Sequence, residues 1–175
     1  MFTKLNISEF NEMFSIMEKS FPLDEYRPCN EQKALFDNEY YCVYGEKENK
    51  KVKGFIAVWD FQEFLYIEHF AVNPEFRNQG IGAGILKKLT DLYNKPACLE
   101  VEPPADDMAK RRIGFYERNG FFFNEFPYIQ PPISSGKNPV PLRIMSSGKK
   151  LTEKEFLNVK HTLYNKVYKC NENDF

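Results

Sequence analysis

Tyr66-Ile67-Glu68-His69-Phe70-Ala71-Val72-Asn73-Pro74-Glu75-Phe76-Arg77-Asn78-Gln79-Gly80-Ile81-Gly82 is the stretch whose reading decides the fold. It opens as an apolar strand, passes through a short loop and becomes a helix after Gly80. Glycines at 80 and 82 let the backbone approach a bulky anion, and free N–H groups at the helix start point at it. Gly84 extends the small-residue surface. This geometry suits a pyrophosphate. The dinucleotide fingerprint needs G-x-G-x-x-G, and Gly80-x-Gly82-x-Gly84 has the wrong spacing; the P-loop's terminal G-K-[ST] is absent there. On the glycines alone, a plain tight helix start stays an equal reading.

Working outward, residues 2–5 read as a first strand. Ser8 is placed to cap a helix running to about Ser20, with Phe10, Met13, Phe14, Met17 and Phe21 on one face. Phe21 to Pro28 breaks it, and a short helix follows Asn30. Tyr40–Tyr44, Val52–Trp59 and Phe64–Val72 read as an antiparallel meander, the first two joined by a polar turn from Gly45 to Lys50. The helix after Gly80 carries Ile81, Ile85, Leu86 and Leu89 on one side and is closed by Pro96. Ala97–Val101 is another strand. Pro103 to Asp107 opens a helix that ends at Gly120. Phe121–Ile129 and Val140–Met145 read as two closing strands. Thr152-Glu153-Lys154-Glu155 is a capping-box pattern, and Phe156, Val159, Leu163 and Val167 mark an amphipathic helix to about Lys169. The order β-α-α-β-β-β-α-β-α-β-β is α/β or α+β, with a central mixed sheet.

Val-x-Pro-x-x-Arg-x-x-Gly-x-Gly, from Val72 to Gly82, resembles motif A of the GNAT N-acetyltransferase superfamily, with Arg77, Gly80 and Gly82 in its specified positions. Phe115-Tyr116-Glu117-Arg118-Asn119-Gly120-Phe121 resembles that family's motif B. The motifs stand in the expected order with one strand between them, and the resemblance extends more loosely over residues 1–146. It implies a GNAT-type three-layer fold, a mostly antiparallel mixed sheet flanked by helices. The expected organisation is a domain over 1–146 and a C-terminal helical extension over 147–175 packed on it. One departure stands out: where many relatives carry an Asn, seven residues before the motif B tyrosine, this chain has Ala109.

The resemblance also implies roles. The strand Phe70-Ala71-Val72 lends its backbone to the pantetheine arm of acetyl-CoA. The pyrophosphate rests on N–H groups from Arg77, Asn78, Gln79, Gly80, Ile81, Gly82 and Ala83, with the Arg77 side chain as a further phosphate partner. An acceptor ammonium, with an unperturbed pKa near 10.4, must lose a proton before it attacks a thioester, directly or through water. Glu68 is the expected base and His69 its competitor, and strict alternation puts their side chains on opposite faces. Tyr116 is the expected acid for the departing thiolate, and the Val72 N–H the oxyanion donor. The acceptor site is expected between Phe21–Pro28, with Glu25, Tyr26 and Arg27, and Tyr128–Pro139, with Tyr128 and Gln130. Glu25 suits a cationic acceptor and Arg27 an anionic one, unless the two simply pair.

The bulk numbers narrow the field. The 175 residues carry 24 basic and 25 acidic side chains, a net charge of −1. That gives no electrostatic case for nucleic acid or for an anionic membrane surface. Four cysteines without a C-x-x-C pair, with two histidines, argue against a metal site. No signal peptide or membrane span is expected, so the expected location is the cytoplasm. The expected activity is acetyl transfer from acetyl-CoA to a primary amine of a small molecule, in a ternary complex. An acetyl-CoA sensor and a protein or peptide N-acetyltransferase are the alternatives, and a homodimer stays open.

Overall fold

The computed structural model describes residues 1–49 and 51–171, and the chain divides into two compact units, Met1–Ala97 and Cys98–Phe175. In the first unit, strand β1 (Phe2–Lys4) is followed by a 3₁₀ turn, Ile7–Glu9, that leads into helix α1 (Phe10–Glu18). Asn6, not Ser8, caps this entry. Its Oδ1 accepts the Ser8 N–H at 2.9 Å, and Glu9 reaches back to the Asn6 N–H, closing a capping box one turn earlier than the helical stripe implies. The stripe itself is buried: Phe10, Met13, Phe14 and Met17 are all under 9 % exposed. Each contributes roughly 1.5–3 kcal/mol of burial.

Helix α2 (Cys29–Ala34) leads to β2 (Tyr41–Glu48), β3 (Lys51–Asp60) and β4 (Leu65–Val72). These form an antiparallel run in the order β1-β2-β3-β4, with Tyr41 opposite Trp59 and Trp59 opposite Tyr66. β2 continues through Glu46, Lys47 and Glu48, which had read as turn. The chain turns at Asn49 (φ +51°), and Lys50 of the expected turn lies outside the described residues. Helix α3 (Ile81–Tyr93) buries Ile85, Leu86 and Leu89, and ends at Asn94 in a left-handed conformation, before Pro96. Gly54 makes its close approach possible. A Cβ there would sit 2.9 Å from the Ala71 carbonyl and 3.0 Å from Ile85 Cδ1.

Strand β5 (Ala97–Val101), all but its first residue in the second unit, precedes α4 (Asp107–Arg118), with Asp106 as N-cap. The expected strand 121–129 is two short ones, β6 (Phe121–Phe123) and β7 (Tyr128–Gln130). Asn124 ends the first. Its buried amide donates to Ile144 O and Ser146 Oγ, each at 3.0 Å, which turns the chain away from the ladder. β8 (Val140–Ser147) pairs antiparallel with β5, β6 and β7. Helix α5 (Glu153–Thr162) starts with the Thr152–Glu155 capping box and continues as a π-helical turn, Leu163–Tyr168. Phe156, Val159, Leu163 and Val167 are buried, and Phe156 stacks on Phe126 at 4.8 Å. Among the described residues no helix is long and apolar enough to cross a membrane.

Candidate functional site

Strand β4 supplies the first part of the site, and its alternation is broken. His69 stands opposite Ala57 and Ile67 opposite Val58, so Glu68 is an extra residue, a β-bulge. The bulge overturns the expectation that Glu68 and His69 face opposite ways. Both side chains are buried, and Glu68 Oε2 lies 3.4 Å from His69 Nδ1. Arg27 Nη1 donates to Glu68 Oε1 at 2.9 Å in an ion pair whose side chains are 7 % and 1 % exposed. Burial opposes the carboxylate's charge, but the Arg27 guanidinium and the His69 ring outweigh it and hold the carboxyl at about 2. His69 Nε2 donates to the Glu25 carbonyl at 2.8 Å, and Phe21 packs edge-on against the ring at 5.0 Å.

The loop between α1 and α2 is therefore pinned to the bulge. Arg27 pairs with Glu68. Tyr26 is buried with its ring edge-on to Phe14 at 5.9 Å. The sequence offered Tyr26 and Arg27 as acceptor contacts, whereas both are packed inside the first unit. Glu25 is partly exposed and contributes its carbonyl.

Beyond Val72 the chain makes one 3₁₀ turn, Pro74–Phe76, with Asn73 Oδ1 accepting the Glu75 N–H at 3.2 Å. Arg77 Nε donates back to the Val72 carbonyl at 3.3 Å, which fixes the loop's exit. Asn78 (φ +62°) and Gly80 (φ +74°) are both left-handed, and this double turn sets the start of α3. Gly84 N is the amide that closes the first helical turn, onto Gly80 O at 3.0 Å. The N–H groups of Ile81, Gly82 and Ala83 thus precede the helical ladder at its positive end. Arg77, Asn78, Gln79 and Gly80 are exposed, and a Cβ on Gly80 would meet nothing within 4 Å. This is an open cradle that fits an anion. Phe70, Ala71 and Val72 lie on the strand leading into it.

The second unit carries Tyr116, on the buried face of α4. Its ring packs edge-on to Phe115 at 5.3 Å and Phe121 at 5.8 Å. Burial pushes its phenol up to about 12, with nearby Arg112 pulling it down and Glu102 pushing it up. The phenol is a neutral donor at every ordinary pH. Ala109 is buried, and its N–H is capped by Asp106 Oδ1 at 2.8 Å, so this position serves the helix start. Tyr128 and Gln130, the other acceptor candidates, are 2 % and 3 % exposed. Tyr128 donates to Glu100 Oε1 at 2.5 Å, and Tyr168, on the π-helical turn, donates to both Glu100 oxygens at 3.0 and 2.9 Å. Sequence reasoning passed over Glu100; its one signal was a lone charge inside the apolar run Ala97–Val101.

The sequence model described as the acetyltransferase (GNAT) family matches residues 9–121. A protein of Bacteroides thetaiotaomicron assigned to that family is 36 % identical, with a TM-score of 0.90 over 98 % of this chain and 99 % of that one. YjbC of Bacillus subtilis, assigned as an acetyltransferase, is 30 % identical over 107 residues, 60 % of this chain and 54 % of its own length. The chain thus spans about half the length of that relative. A PaiA N-acetyltransferase from Thermoplasma acidophilum, solved in complex with coenzyme A, shares the fold at a TM-score of 0.61 and 16 % identity, over 84 % of this chain and 97 % of its own. The mixed α/β architecture expected from the sequence is the one found.

Proposed function

The chain belongs to the acetyltransferase (GNAT) family, and from that premise we propose that it moves an acetyl group from acetyl-CoA to a primary amine of a small molecule. The observation that carries the reading is the cradle at Asn78–Ala83. Two left-handed residues, Asn78 and the exposed Gly80, present the opening N–H groups of α3 at the end of a strand. A pyrophosphate is the anion such a cradle suits. Residues 1–146 and the C-terminal extension act together in this reading. Free thiols at Cys29, Cys42, Cys98 and Cys170 suit a reducing compartment, the cytoplasm.

Bound acetyl-CoA supplies the thioester that the amine attacks. The chain's own residues hold it and move protons. Arg77 to Ala83 hold the pyrophosphate, and the backbone of Phe70 to Val72 lines the arm. Tyr116 keeps its proton across the working pH range and gives it to the departing sulfur. Glu68 works as a fixed anion. With its carboxyl held at about 2, it is too weak to strip an ammonium directly, by about eight pKa steps against the ordinary 10.4. Its charge instead favours proton release onto water beside it, and Arg27 keeps that charge in place.

The deciding experiment is a screen of amines for free thiol release from acetyl-CoA by the purified chain. Acetylated product from at least one small amine is the expected result. Acetyl-CoA binding without turnover on any small amine or peptide means a sensor. Turnover on peptides alone means a protein acetyltransferase.

A further inference from the structure

Cys42, on β2, has a lysine beside it. In the β1–β2 ladder Lys4 lies opposite Tyr44. Side chains alternate along a strand, so Cys42, two residues before Tyr44, shares the sheet face of Lys4. Diagonal neighbours of this kind lie roughly 7–8 Å apart, a gap that a long side chain spans. The two groups meet: a side-chain hydrogen bond with Cys42, then the charge of its sulfur, raises the Lys4 ammonium above its ordinary value. Cys42 is half-buried and Lys4 exposed, and both line one cavity of ≈ 390 Å³. Its other walls include Asn6, on the link between β1 and α1, and Phe36 and Asp37, on the turn after α2. Lys4 and Asp37 are the charged side chains among its described lining residues.

A thiol and an amine are both nucleophiles that thioesters acylate, and side by side they form a pair with a direction. The thiolate attacks first, because the neighbouring amine is held as an ammonium without a lone pair. That ammonium stands where negative charge develops on the attacked carbonyl oxygen. The amide is then the more stable product, so the acyl group moves on to nitrogen. The acyl end of an acyl-CoA is a thin arm that enters such a cavity while the nucleotide stays outside. We propose that Cys42 is an acyl-accepting thiol for acyl-CoA thioesters and that it passes the acyl group to Lys4, a modification site of the chain itself. This goes beyond transfer to an external amine and does not use the cradle at Asn78–Ala83.

Both steps balance. The Cys42 S–H gives its proton to water, and the sulfur bonds the acyl carbon. The carbon–sulfur bond to CoA breaks, and the CoA thiolate takes up one proton. Cys42 as a thioester carries no charge, so the contact that holds Lys4 as an ammonium is gone. Lys4 releases a proton to water and its nitrogen bonds the acyl carbon. The bond to Cys42 breaks, and the sulfur recovers a proton. In sum, one ammonium and one acyl-CoA give one amide, one CoA thiol and one proton, with Cys42 regenerated. The other cysteines differ. Burial, then Glu100, pushes the Cys98 thiol well above the ordinary value, and Cys29 is exposed, which makes it the comparison for exposure alone.

The test incubates the full chain with excess acetyl-CoA and reads peptides by mass spectrometry. Acetyl is expected on Lys4 as an amide that survives hydroxylamine. Lys4→Arg keeps the charge and cannot form that amide, so the label should stay on Cys42 as a hydroxylamine-labile thioester. Cys42→Ser should slow Lys4 acetylation at least about tenfold, since an adjacent thioester replaces a bimolecular encounter. Cys42→Ala is the second variant, with the same expected loss, should the serine disturb folding. Gly80→Glu, expected to bind no acetyl-CoA in the cradle, should acetylate Lys4 at the wild-type rate. Lys4 acetylated equally fast without Cys42 overturns the proposal. So does a Lys4→Arg chain that carries label on Cys29 and none on Cys42. Loss of Lys4 acetylation in a folded Gly80→Glu chain also overturns it, by assigning the reaction to the cradle. The amine screen stands apart from all of these outcomes, so the functional reading and the Cys42–Lys4 transfer fail separately.

Discussion

Replacing Arg27 by methionine tests the electrostatic account of the β4 bulge. The substitution keeps much of the side-chain length and removes the guanidinium paired with Glu68 Oε1 at 2.9 Å. In the folded chain the Glu68 carboxyl is held at about 2 against an ordinary 4.5. At 1.36 kcal/mol per pKa step, that difference amounts to about 3 kcal/mol of stability. Its sign follows from the folded value being the lower one. Above about pH 4.5 the carboxyl is ionised in folded and unfolded chains alike, and the full contribution is present. It is lost as pH falls from there through about 2. Breaking a buried pair from one side costs about 3–5 kcal/mol, because the remaining charge is left in a dry site. With a urea slope of about 2 kcal/mol/M, the midpoint at pH 7 should drop by roughly 2 M. The double variant Arg27→Met/Glu68→Gln should recover part of that loss, since no unpaired charge remains. Urea titrations at steps between pH 7 and 2 provide the assay. A single variant that loses under about 1 kcal/mol, with the wild-type dependence between pH 5 and 2 intact, refutes the reasoning.

Tyr116→Phe should lower turnover by ~10²–10⁴-fold with acetyl-CoA affinity and unfolding midpoint unchanged; steady-state kinetics beside calorimetry check this, and a wild-type rate with chemistry limiting makes the tyrosine a packing residue. Gly80→Glu should abolish acetyl-CoA binding by calorimetry and cost about 1–2 kcal/mol besides, because Gly80 sits at φ +74° where a side chain is strained. Unchanged affinity in a folded variant counts against the cradle. Phe156→Ala should destabilise the chain by about 3–5 kcal/mol, read by urea unfolding, since the ring is 5 % exposed and stacked on Phe126. A loss under about 1 kcal/mol would mean that α5 is dispensable to the core.

Local pattern and backbone chemistry decided a good deal by themselves. The stripe Phe10, Met13, Phe14 and Met17, the Thr152 capping box and the glycine-marked start of α3 each rest on residues close in sequence, and each is found where the periodicity or the cap puts it. The loop Arg77–Gly82 was legible for the same reason: a positive φ and an open approach are demands on one or two residues. Other features had no local signal. Strand alternation separates Glu68 from His69, and the bulge that brings them together depends on β3 as the partner strand. Arg27 and Glu68 are forty-one residues apart, and nothing near either one says whether Arg27 meets Glu25, Glu68 or solvent. Tyr26, Tyr128 and Gln130 read as residues bordering an acceptor site, and tertiary packing buried them. Sequence fixes what each segment can do alone, while charge pairing and desolvation depend on which segments meet, and that was settled by the tertiary structure.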